Sequence, residues 1–145
     1  MNILQQIQSE LKAPKGQKNN FGNYSYRSAE DILSAVKPLL QKHEVSLIIS
    51  DDIVGVEGRV YVKATATLCS SAKDCEPLAG STGFAREALT KKGMDDAQIT
   101  GSASSYARKY ALNGLLCIDD TKDPDATNDH GSKLPKPTTK QSQGF

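Results

Sequence analysis

No stretch of the sequence approaches the roughly 18 consecutive apolar residues of a membrane span, which excludes a transmembrane helix. Histidine is scarce, with two residues, and the three cysteines Cys69, Cys75 and Cys117 lack CxxC spacing. A structural zinc site needs four ligands, and His43 and His130 stand far from any cysteine pair in a usable pattern, so none is expected. The N-terminal MNILQQIQSELK has its apolar block broken by Gln and Ser, unlike an export signal. The odd cysteine count therefore predicts reduced thiols in a cytoplasmic protein. Walker A and GxGxxG patterns are also missing, so no ATP, dinucleotide or other cofactor is expected.

Hydrophobic residues make up 37% of the 145 positions, low for a globular chain. That average mixes two unlike parts. Residues 1–118 carry nearly all of the Ile, Leu, Val and Tyr, enough for one buried core and too short for a two-domain enzyme. From Asp119 onward large apolar residues almost vanish, and three prolines follow Lys122. Such a segment buries too little surface to offset its ordering entropy. The expected organisation is one domain over 1–118 and a disordered tail over 119–145.

The net charge of +1 argues, taken alone, against a nucleic-acid binder. Its distribution argues the other way. Residues 12–27 carry Lys12, Lys15, Lys18 and Arg27 with no acid, and a second basic group is Lys91, Lys92, Arg108 and Lys109. A local basic groove binds phosphates even on a nearly neutral chain.

Hydrophobic spacing predicts the elements. Ile3, Leu4, Ile7 and Leu11 share one face of a short helix over 2–12, stopped by Pro14 and Gly16. Residues 14–27 read as a loop. Ser28, with Asp31 three residues on, forms a capping box for a helix reaching His43, which contains Pro38. Residues 45–54 read as a strand, 55–58 as a turn, and 59–68 as a second strand whose Val60, Val62, Ala64, Ala66 and Leu68 alternate onto one side. A third strand is expected over 78–89, weakened by Gly80 and Gly83. The last helix is expected over 95–113, ending at Asn113-Gly114, with a short buried extension beyond that includes an inert Cys117. The class is α+β, a three-stranded antiparallel sheet packed against helices.

Two segments carry candidate chemistry. The loop over 15–27 interleaves Lys18, Phe21, Tyr24, Tyr26 and Arg27. Cations neutralise phosphates and rings stack unpaired bases, a pattern suited to single-stranded nucleic acid without sequence readout. Its plainer reading is a solvated loop with aromatics tucked onto the core. In the last helix Ser102, Ser105 and Lys109 fall on one face, with Ser104 and Arg108 beside them. Hydroxyls and cations together suit phosphate oxygens, whereas packing accounts for Ala103, Ala107 and part of Tyr106. The pairs Asp51-Asp52, Asp95-Asp96 and Asp119-Asp120 offer carboxylates for Mg²⁺, but read more simply as strand end, helix cap and acidic tail.

The stretch from Lys18 to Ile32 (KNNFGNYSYRSAEDI) resembles the opening motif of the ERF (essential recombination function) superfamily. So does Gln98 to Leu112 (QITGSASSYARKYAL), and Asp119 to Asp123 (DDTKD) resembles the family's sequence after its last helix. This resemblance implies a phage-type single-strand annealing protein. Such proteins bind single-stranded DNA, assemble into rings or filaments, and pair complementary strands without ATP and without enzymatic chemistry. It also implies kinship with the Rad52-type annealing core, a β-hairpin sheet on a long helix. The expected partners are single-stranded DNA, further copies of the chain, and a phage exonuclease or host single-strand-binding protein, with no membrane, in the host cytoplasm. Expected phosphate contacts are Lys18, Arg27, Lys91, Lys92, Arg108 and Lys109, supported by Ser102 and Ser105. Tyr24 and Tyr26 would stack bases, and Tyr106 and Tyr110 are divided between core and site. The alternatives are a Mg²⁺-dependent nuclease built on the Asp pairs and a protein-interaction module that reaches DNA through a partner.

Overall fold

A computed structural model describes residues 2–19, 21–22, 24–72 and 74–119. The expected disorder of the tail, which starts at 119, falls outside the described residues from 120 onward. Helix α1 (Ile3–Glu10) is capped by Asn2, whose side chain accepts from the Gln5 amide while the Gln5 side chain accepts from Asn2, and it buries Ile7. A small hairpin follows, β1 (Gln17–Asn19) paired antiparallel with β2 (Tyr24–Tyr26). It lies inside the segment expected to be a loop. Three-residue strands are too short to show alternation, so pairing across the turn makes them visible only in the fold.

Helix α2 (Ala29–Lys42) starts where the sequence predicts. The Asp31 amide donates to Ser28 Oγ at 3.2 Å, and the Ser28 amide donates to the Asp31 carboxylate at 2.9 Å. That amide, with the Ser28 hydroxyl and Gln17 adding to it, holds the Asp31 carboxyl below its ordinary range. A carboxyl whose pKa is depressed by folding stabilises the fold above the ordinary carboxylate range and loses that contribution as pH falls. Thermal melts of Asp31→Asn are therefore expected to lose less stability than the parent between about pH 5 and 3. Parallel melting curves for the two proteins would remove the capping carboxylate from the acid response.

Strands β3 (Val45–Val56), β4 (Arg59–Ser70) and β5 (Pro77–Arg86) form one antiparallel sheet in the order β3-β4-β5. The turn expected over 55–58 contracts to Glu57-Gly58. Both residues are left-handed, with φ of 49° and 76°, so the ladder runs on to Val56 and Arg59. As the alternation requires, Val62, Ala64, Ala66 and Leu68 are buried. β5 ends at Arg86 rather than at Leu89; the Glu87 amide still donates to the Val60 carbonyl at 2.8 Å, while the Glu87 carboxylate accepts from Thr100 Oγ1 of the last helix at 2.9 Å.

Helix α3 (Asp96–Leu116) is capped by Asp95 with Gln98. It outruns the expected stop at Asn113-Gly114 by two residues. Leu112, Leu115 and Leu116 are buried in one core with Ile7 of α1 and Ile32 and Val36 of α2, which outweighs the low helix propensity of Gly114. Cys117, left-handed at φ 58°, ends the helix, and its amide and that of Ile118 both donate to the Asn113 carbonyl. This turn leaves Cys117 exposed, not buried as expected. The expectation of reduced thiols is corrected for the other two cysteines. Cys69 and Cys75 form a disulfide across the β4–β5 connection, Cα–Cα 4.9 Å, where a register shift after Leu68 and left-handed Asp74 and Cys75 fold the loop back.

Candidate functional site

Successive residues of a helix turn by about 100°, so α3 presents different chemistry on each flank. Ile99, Ala103, Ala107 and Ala111 are buried toward the sheet. Ser102, Ser105, Tyr106, Lys109 and Tyr110 face away from it or along its β5 side, and Tyr106 remains 54% exposed. The β1–β2 hairpin stands beside this flank, with Lys109 Nζ 5.7 Å from the centroid of the Tyr26 ring.

Two clefts result. One, of about 320 Å³, lies between hairpin and helix and is lined by Asn19, Tyr26, Arg27, Ser105, Tyr106 and Lys109 among others. The second, of about 450 Å³, lies between β5, the loop after it and α3. Phe84, Arg86, Lys91, Met94, Ser102, Tyr106 and Tyr110 are among its lining. Tyr106 lines both, and its ring sits 6.3 Å from that of Tyr110. Cations therefore stand on both sides of an exposed aromatic, and among the described residues no carboxylate lines either cleft. Cations and hydroxyls suit phosphate oxygens, and the rings suit unpaired bases.

Of the residues singled out in the sequence, Tyr26, Arg27, Lys91, Ser102, Ser105, Tyr106 and Lys109 line these clefts. Tyr106 and Tyr110, divided between core and site, are both exposed. Lys18 is exposed on β1, Lys92 is exposed in the turn before α3, and neither lines a cleft; Tyr24 is placed on β2 by its backbone. Arg108 points elsewhere. Its guanidinium donates to Asp51 of β3 through Nε and Nη2 at 3.2 Å, and Ser104 Oγ donates to the same carboxylate at 2.5 Å. Asp51 is thus a mid-strand residue facing α3, not a strand end. Asp52 points to the opposite face of the sheet, across from Lys63. Sequence reading missed Asn19, Phe84 and Arg86. The overlong third strand placed Arg86 mid-strand, where nothing marked it as the end of β5 beside α3.

Among the described residues, no three His, Cys, Asp or Glu side chains converge as a metal site, and no helix is long and apolar enough to cross a membrane. The family model of the ERF superfamily matches residues 2–144. The chain is 52% identical over 140 residues to the Essential recombination function protein of Salmonella phage P22, a match covering 97% of this chain and 65% of that protein. No solved structure matches. The motif blocks around Tyr26 and around Tyr106 lie on the hairpin and on α3, the elements that form the first cleft, and the chain belongs to the ERF superfamily.

Proposed function

We propose that the chain binds single-stranded DNA along the two clefts and anneals complementary strands without ATP, in the recombination role that the name of the phage P22 relative states. The carrying observation is Tyr106, exposed between a cleft bearing Arg27 and Lys109 and one bearing Arg86 and Lys91. Phosphate contacts supply affinity without reading sequence, and a strand held by its backbone leaves its base edges open to a complement. Annealing makes and breaks no covalent bond, so the protein is not an enzyme. Further copies of the chain would line up clefts and raise the local concentration of bases. A phage exonuclease or a host single-strand-binding protein would supply or yield the strand in the host cytoplasm.

The carboxylates favour this reading over a nuclease. Asp51 is engaged by Ser104 and Arg108, Asp52 faces away from it, and Asp95 caps α3. Labelled complementary oligonucleotides test the proposal in buffer with Mg²⁺ and no ATP. The expected result is salt-dependent binding and duplex formation faster than in protein-free controls. Shortened strands would establish the nuclease instead, and absence of binding would leave a module that acts through a partner.

A further inference from the structure

The buried β4 residues fix which side of the sheet α3 covers, so Arg59, Tyr61, Lys63, Thr65 and Thr67 project from the other. Cross-strand register extends that open face. Tyr61 pairs with Arg86, and Lys63 pairs with Phe84. Paired residues of an antiparallel ladder share a face, so two aromatic and three cationic side chains gather toward the hairpin end of the sheet. Phe84 is 49% exposed, and Lys63 Nζ lies 5.9 Å from its ring centroid. Asp52, opposite Lys63, is the acid in these rows. Arg86 and Phe84 also line the second cleft, so this patch continues the cation-and-ring surface around the β5 edge.

We propose that this open face, centred on Tyr61, Lys63 and Phe84, is a second contact surface for single-stranded nucleic acid, which takes up the strand as it leaves the cleft beside Lys91. The inference rests on the strand-binding reading and lengthens its path. Arg59, Lys63 and Arg86 outnumber the acids beside them, Asp52 and the turn residue Glu57, while Glu87 is turned to Thr100 of α3, and the positive balance favours a polyanion. The exposed Phe84 ring, with half-buried Tyr61 on the same face, offers a stacking platform that tolerates any base.

The test is a length series of oligo(dT) bound to the full chain, comparing the parent with Tyr61→Thr/Lys63→Thr and with Lys63→Glu alone, which leave the cleft residue Phe84 in place. Threonine keeps strand propensity, and unchanged melting confirms the fold. A strand of about 8 nucleotides, long enough only for the clefts, is expected to bind the parent and variants alike. One of about 20 nucleotides is expected to bind the double variant roughly tenfold more weakly, with a shallower salt dependence. Equal affinity at every length would overturn the proposal. So would a changed sedimentation mass without a length-dependent loss, which would make the face a protein interface. Failure of the parent to bind any strand would instead remove the underlying reading, and this surface with it.

Discussion

Gly83→Ala is expected to lower the melting temperature by about 10 °C, the largest stability loss from a single methyl group in this chain. Gly83 sits on β5 where α3 crosses the sheet at close range. A Cβ built there meets the Ala107 carbonyl oxygen, the Ala111 nitrogen at 2.5 Å and Tyr110 Cβ at 2.8 Å. Two of these are helix backbone, which cannot rotate away as a side chain tip can. The helix must lift from the sheet or the strand must bend, at a cost of about 3 kcal/mol, the upper part of the range for overpacking. Gly101→Ala serves as the control. Nothing lies within 4 Å of its added Cβ, so it is expected to gain about 0.5–1 kcal/mol from helix propensity. Melts within about 2 °C of the parent for Gly83→Ala would show that the helix does not ride on this strand.

The second large effect is on binding. Arg27→Gln combined with Lys109→Gln is expected to weaken oligo(dT) binding at least tenfold at moderate salt. The slope of log affinity against log salt is expected to fall by about 1.4, or roughly 0.7 for each phosphate that is no longer neutralised. Both side chains line the hairpin cleft, and Lys109 also sets its charge over the Tyr26 ring. Arg108→Gln is the informative comparison. Its guanidinium is engaged by Asp51, on the flank of α3 away from the clefts, so affinity and salt slope are expected to change little. A larger loss from Arg108→Gln than from the double change would place the strand along β3 instead.

The contrast between Arg108 and Lys109 also marks where sequence reading stops. The Ser28–Asp31 cap, the alternation from Val62 to Leu68 and the Ile99–Ala103–Ala107 stripe are legible because each depends on neighbours within a few residues. The flank of α3 that lines the hairpin cleft is not. Arg108 and Lys109 are adjacent in sequence and about 100° apart on the helix, and the partner that claims Arg108 lies 57 residues away. The hairpin over 17–26 and the contribution of Arg86 are hidden for the same reason, since both are created by pairing between strands. Gly83 reads in the sequence as a weak point of its strand. Its role as the clearance for α3 depends on a contact that no local pattern encodes.

The sheet has two different outer strands, β3 on one side and β5 on the other. If copies join β3 to β5, the contact is heterologous, and each added subunit repeats the same step rather than cancelling it. Strand twist of roughly 20–25° per strand then accumulates through every subunit, so the composite sheet coils as it grows. Whether that coil meets its own beginning or winds on as a fibre becomes a property of this per-copy rotation, and substitutions that alter sheet twist, such as at Gly55 or Gly80, would tune assembly size without touching a nucleotide contact.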